Sequence, residues 1–237
     1  MIRGYYTALS GMIAAEQRQD VVTDQIANID TPGYAGQALG EVDLGITVAA
    51  STGGVLGRLG TATAASGLSI DGTPGPIQET GNPTDLAIGG NGLFAVRAPQ
   101  GTAYTRAGTF HLDEAGRLVT EQGYPVLDAA GRDIVVSGPF SVSPDGTVAG
   151  TGQRLAIAAF PTRGLVRLGD TLYASAAPLP AATGVTVQQG ALEASNVDLS
   201  SALTTLLELQ RQFSLNAEAF SVQSDTLTQL GDLGRLK

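Results

Sequence analysis

No cysteine and no tryptophan occur in the 237 residues, and histidine and lysine occur once each, at His111 and Lys237. The missing thiols exclude disulfides, thiolate metal sites and a cysteine nucleophile. His111 lies in Thr109-Phe110-His111-Leu112-Asp113, where strand alternation turns it away from the face of Phe110 and Leu112. No Gly-x-Ser-x-Gly elbow accompanies it, so a Ser-His-Asp set could be drawn only by arbitrary choice of partners. The carboxylates are scattered, without metal-ligand spacing. No catalytic residue, metal or cofactor is expected, and the chain does not read as an enzyme. Basic side chains are few as well, 13 against 22 acidic ones, which leaves a net charge of −9. That balance repels a phosphate backbone, and the arginines form no stripe, so nucleic acid is not an expected partner. No run of about 18 apolar residues is present to span a bilayer. The start, Met1-Ile2-Arg3-Gly4-Tyr5, lacks the apolar core and cleavage site of a secretory signal. The expectation is a protein that stays inside or leaves by a route needing no cleaved signal.

What is present is organised by period. Over residues 5 to 29, Tyr5, Leu9, Met12, Ile13, Val22, Ile26 and Ile29 recur at steps near three and four, which predicts a helix with one apolar stripe. Pro32 forces Thr31 out of the helical region and ends it, and Gly33 adds a permissive turn. Near the other end, Ser195-Asn196-Val197-Asp198 fits a capping box, with the Ser195 hydroxyl as cap and Asp198 reaching back. From there Leu199, Leu203, Leu206, Phe213, Ala217, Phe220 and Leu227 step by fours and threes, with polar Gln210 and Ser224 between. No Gly or Pro intervenes before Gly231, so a helix of roughly 50 Å is expected at about 1.5 Å per residue. A seam of period 3.5 on so long a helix reads as a coiled coil that a lone compact domain could not cover.

The middle differs in kind. Residues 36–74 are rich in Gly, Ala, Ser and Thr and read as an extended linker with room for a strand or two. Residues 75–190 read as all-β, with short runs such as Leu93-Phe94-Ala95-Val96 between turn residues. Asp113-Glu114-Ala115-Gly116, Asp128-Ala129-Ala130-Gly131 and Ser143-Pro144-Asp145-Gly146 each carry the chemistry of a type I turn ending in Gly. They lack the dense alternating oxygens of a calcium loop. Gly89-Gly90-Asn91-Gly92 lacks the Gly-Lys-Ser/Thr ending of a phosphate loop and reads as a tight turn. The fold class expected is α+β: long N- and C-terminal helices forming a coiled coil, with an inserted all-β domain. The divisions are 1–35, 36–74, 75–190 and 191–237.

Several segments resemble one family. Ala8-Leu9-Ser10-Gly11-Met12 followed by Gln25-Ile26-Ala27-Asn28-Ile29-Asp30-Thr31-Pro32-Gly33-Tyr34 is similar to the N-terminal signature of flagellar basal-body rod and hook proteins. Gly190-Ala191-Leu192-Glu193-Ala194-Ser195-Asn196-Val197-Asp198 resembles the signature before that family's final helix. Asp85–Phe94, Tyr104–Phe110, Gly116–Thr120 and Arg167–Tyr173 resemble the β domain of the rod proteins. Asp24, Ala35 and Leu93 depart from the commoner Asn, Lys and Phe. Length and Arg211-Gln212-Phe213 favour the proximal-rod type, although the Thr-Pro-Gly-Tyr turn is more typical of the distal type. Size excludes a long hook protein.

The resemblance implies a structural subunit of the bacterial flagellar basal-body rod. Its terminal helices would assemble into the axial tube that transmits torque and encloses the export channel. Its partners would be copies of itself, other rod and hook proteins and the flagellar type III export apparatus, which exports without signal cleavage. No membrane insertion is expected. The assembly interface would comprise Leu9, Met12, Ile13 and Ile26 on the first helix and Asn28, Thr31, Pro32, Gly33 and Tyr34 in its turn. Ser195, Asn196, Leu199, Leu203, Leu206, Phe213, Phe220 and Leu227 would serve from the other end. A surface adhesin with a helical stalk is the alternative, and a secreted β hydrolase built around His111 is a more distant rival.

Overall fold

The computed structural model describes residues 2–49, 55–161, 164–169 and 171–234. They form two compact units, Met1–Ile26 with Gln37–Ser69 and Leu199–Lys237, and Ala27–Gly36 with Ile70–Asp198.

The first unit holds the two long helices, α1 (Ile2–Ala27) and α2 (Leu199–Gly234). Both strands of the stretch read as a linker, β1 (Gln37–Ala49) and β2 (Val55–Ile70), belong to it and pair with each other. The helices pack against each other in opposite directions: Gly4 meets Gln223, Gly11 meets Asn216, and the Tyr5 and Phe220 ring centroids lie 4.3 Å apart.

This corrects the coiled coil expected from the sequence. Interlocking apolar knobs need a large side chain and a hole at each layer, whereas two of the layers here set glycine against an amide. The seam itself is turned. Ala202 and Leu209 are buried, while Leu199 and Phe213 are exposed and Leu203 remains 45% exposed. The capping box is corrected too. α2 begins at Leu199, so Ser195 stands too far upstream to cap it, and its hydroxyl instead accepts a bond from the Val197 amide at 3.3 Å.

The second unit is β-rich. It contains β3 (Ile77–Glu79), β4 (Leu86–Gly89), β5 (Gly92–Ala98), β6 (Gly101–Thr105), β7 (Phe110–Leu112) and β8 (Leu118–Thr120). β9 (Ile157–Ala159), β10 (Leu165–Gly169), β11 (Leu172–Ser175), β12 (Thr186–Gln189) and β13 (Ala191–Glu193) complete it. One antiparallel sheet runs β10-β11-β6-β5-β9, and β12-β4, β13-β3 and β7-β8 form further antiparallel pairs. The run Leu93–Val96 does not alternate in polarity because β5 is covered on both faces. Phe94 and Val96 enter one core with Leu86, Phe110, Leu118 and Ile134, and Leu93 and Ala95 enter another with Tyr104 and Tyr173.

Each of the three expected turns closes with its glycine amide on the first residue's carbonyl, at 2.9, 2.8 and 2.8 Å. Gly116, Gly131 and Gly146 hold φ of 74, 76 and 84°, the left-handed region where a Cβ is strained.

Candidate assembly interface

The two signature segments of the sequence, far apart along the chain, meet in the second unit. The Thr31-Pro32-Gly33-Tyr34 turn is tied inwardly by Thr31 and Tyr34 amide bonds to the Asn28 and Thr31 carbonyls, both 3.2 Å. Gly33 is required there: its φ is 68°, and a Cβ would overlap the backbone of Arg106 and Ala107. Its amide donates to the Glu193 carbonyl at 2.7 Å.

Glu193 and Arg106, each with side chain only 5% exposed, form an ion pair of 2.5 Å. The second Glu193 oxygen accepts from the Gly75 amide at 2.9 Å. Arg106 also donates to the carbonyls of Ile88 (3.3 Å), Gly90 (2.6 Å) and Gly92. The Gly89–Gly92 turn therefore points carbonyls, not amides, at its centre, and it suits a guanidinium where a phosphate loop would suit an anion.

Asn196 makes a second tie. Its Oδ1 accepts from the Gly36 amide at 2.8 Å, and its Nδ2 donates to the carbonyls of Asp71 and Thr73 at 3.2 and 2.9 Å. The Asp71 amide closes the circuit on the Gly36 carbonyl at 2.8 Å. Tyr34, 2% exposed, lies under the Arg167 guanidinium, 4.4 Å from ring to Cζ, and Arg167 also donates to the Ala35 carbonyl at 2.9 Å. Burial pushes the neighbouring Tyr173 hydroxyl up from its ordinary pKa.

Of the residues assigned to assembly, the structure thus places Gly33, Tyr34 and Ser195 in the interior of the second unit, with Asn28, Thr31, Pro32 and Asn196 half-buried. On the helices, Leu9, Met12, Ile26, Leu206 and Phe220 are half-buried, and Ile13, Leu199, Leu203 and Phe213 are exposed. The side chain of Leu227 lies outside the described residues. Sequence reasoning missed Leu207, 65% exposed, along with Leu215, Val222 and Tyr6. Leu199, Leu203 and Leu207 follow at steps of four, a second ridge that a search limited to one seam passes over. It also missed Arg106 and Glu193 as a pair.

His111 is exposed on β7. Among the described residues no group of three or more His, Asp or Glu side chains could hold a metal, and no helix is long and apolar enough to cross a membrane.

Three family descriptions match parts of the chain. The family described as "Flagella basal body rod protein" matches residues 6–34, which end on the turn at Tyr34. "Flagellar hook protein FlgE/F/G D1 domain" matches 87–150, and "Flagellar basal body rod FlgEFG protein C-terminal" matches 188–233. The flagellar basal-body rod protein FlgG of Bacillus subtilis is 33% identical over 99% of this chain and 100% of its own length. The rod proteins FlgF of Mesorhizobium japonicum and Caulobacter vibrioides are 33% and 34% identical, over 88% and 90% of both chains. With a relative a third identical along its whole length, the chain belongs to the flagellar basal-body rod protein family.

Proposed function

We propose that the subunit joins its neighbours by laying the exposed apolar side of α2, and with it parts of α1, against the next molecule. Family membership makes the chain a structural subunit of the basal-body rod and not an enzyme, sited in the basal body and assembling with itself and other axial proteins. The adhesin reading draws no support, since the matching families and relatives carry rod or hook names. The observation that carries the proposal is the ridge Leu199-Leu203-Leu207, exposed on a helix already engaged with α1 through another part of its surface. Covering a large apolar side chain contributes about 1.5–3 kcal/mol, so a few such residues supply a stable contact. The same contact repeated by a rotation that does not close builds a filament. In this reading the filament is the tube that transmits torque around the export channel, and subunits reach it through the flagellar type III apparatus.

The test is Leu203→Asp combined with Leu207→Asp. Both side chains face solvent in the subunit, so its helical content and the unfolding of the β-rich unit should match the parent. Rods should not form, and the cells should not swim. Normal motility in that variant would remove the ridge from the interface.

A further inference from the structure

The contact between α1 and α2 has a repeat that apolar packing does not require. Gly4 faces the amide of Gln223, and Gly11 faces the amide of Asn216. The two glycines stand seven residues apart on α1, and the two amides seven apart on α2. At Gly11 a Cβ would lie 2.8 Å from Asn216 Nδ2, and at Gly4 it would overlap the Gln223 amide outright. Neither glycine is at a left-handed backbone position, since both lie inside α1. Glycine there favours helix less than alanine does, so space for the facing side chain is what it supplies. The amides are no better suited to burial. Gln223 Oε1 is buried with no hydrogen-bond partner among the described residues.

We infer that these two glycine–amide layers set the register of the terminal helix pair. Seven residues is close to two helical turns, so a slip of that length, about 10 Å, brings nearly the same faces together and costs little in apolar contact. It keeps only one of the two amide layers, so the observed register alone satisfies both. A slip in one sense sets Gln223 opposite Gly11 but Asn216 opposite Arg18, and leaves Gly4 without an amide. The opposite slip sets Asn216 opposite Gly4 but Leu209 opposite Gly11, and carries Gln223 past the start of α1. A polar side chain within a helix–helix seam selects one register at a cost in stability, and the unpartnered Gln223 oxygen is that cost. Register then follows from Gly4, Gly11, Asn216 and Gln223 within a single chain, whatever surface of α2 meets a neighbour.

The absence of native cysteine permits a direct test in the full-length chain. Tyr5→Cys with Phe220→Cys reports the observed register, because those rings touch. Met12→Cys with Phe220→Cys reports a seven-residue slip. Under mild oxidation at high dilution, the first pair should form the intramolecular disulfide about tenfold or more in excess of the second. Adding Asn216→Ala and Gln223→Ala should bring the two yields within about twofold of each other, with helical content retained because alanine favours helix. Gly4→Ala with Gly11→Ala, which fills the spaces instead, should narrow the ratio similarly. An unchanged ratio in either background, or comparable yields of both pairs in the parent, overturns the inference. Cross-linking is read on single subunits, so these outcomes stand apart from success or failure of rod assembly in the ridge variant.

Discussion

At the scale of single residues, the most demanding position is Arg106. Its guanidinium is buried, paired with Glu193 and bonded to three carbonyls. Removing one member of such a pair strands the other charge, which costs about 3–5 kcal/mol. Arg106→Ala should lower the unfolding free energy of the β-rich unit by about that much in urea titrations. Arg106→Lys should rescue little, because one ammonium cannot span the carboxylate and the carbonyls of Ile88, Gly90 and Gly92. A variant within about 1 kcal/mol of the parent would show that the pair is dispensable.

This role was not legible beforehand: a lone Arg and a lone Glu 87 positions apart read as surface charges until the fold joins them. The turns were legible, because their chemistry is local. Asp128 accepts from the Ala130 and Arg132 amides at 2.9 and 2.8 Å, and Asp113 repeats the pattern with Ala115 and Arg117. Burial by itself would raise the Asp128 carboxyl, but the bonds from Arg132 and Gln153 outweigh it and hold the group below its ordinary value. Bonds from Arg117 lower Asp113, and bonds from Thr147 lower Asp145. A carboxyl depressed by folding stabilises above its unfolded pKa and loses that contribution as pH falls through the folded value. Stability of this unit should therefore decline below about pH 4. Asp128→Asn keeps the Oδ1 acceptor but not the charge, so its deficit against the parent should shrink as the pH is lowered to about 2. A deficit independent of pH would exclude the carboxylate as its source.

At the scale of elements, what could be read from sequence was what has a short period. Pro32 ended α1 within a few residues of the expected place, and α2 covers the stretch free of Gly and Pro but continues through Gly231 to Gly234. The choice of face was not readable, because Leu199, Leu203 and Leu206 satisfy a 3–4 pattern as well as Ala202, Leu206 and Leu209 do. Tertiary contact decided between them, and it favoured small and amide side chains that hydrophobicity alone discounts. The β1–β2 ribbon poses the opposite case, a long element in a segment of weak signal. Its two ends are held side by side by the Asn196 amide and by the Asp71–Gly36 bond. An insertion whose ends already meet can be excised at small cost to what holds them. Replacing residues 38–69 with a short Gly-Ser link should leave the denaturation midpoint of the β-rich unit within experimental error of the parent. Asn196→Ala in the same background should lower it, by about 1–3 kcal/mol for the lost bonds. If excision unfolds the unit, the ribbon contributes to its core and the Asn196 tie is not sufficient.

At the scale of the whole molecule, the two units differ in how much of their apolar surface they cover for themselves. The β-rich unit buries Leu86, Leu93, Phe94, Leu118, Ile134 and Tyr173 almost completely. The helical unit leaves Tyr6, Ile13, Leu203, Leu207, Leu215 and Val222 exposed. Anything that binds the folded form alone stabilises it by mass action, in proportion to the logarithm of its concentration. If a second subunit is what covers the helical ridge, only the helical unit should gain. Its melting, followed by far-ultraviolet circular dichroism, should move upward as subunit concentration rises. Four of the six tyrosines, Tyr34, Tyr104, Tyr124 and Tyr173, lie in the β-rich unit and Tyr5 and Tyr6 in the helical one, so in a Tyr5→Phe, Tyr6→Phe background the melting of the β-rich unit can be followed separately through the near-ultraviolet tyrosine signal. That transition should stay fixed. Leu203→Asp with Leu207→Asp should abolish the concentration dependence of the first transition while leaving the second untouched. Transitions that moved together, or a helical transition indifferent to concentration over about a hundredfold range, would mean that the ridge is covered by something other than another copy of this chain.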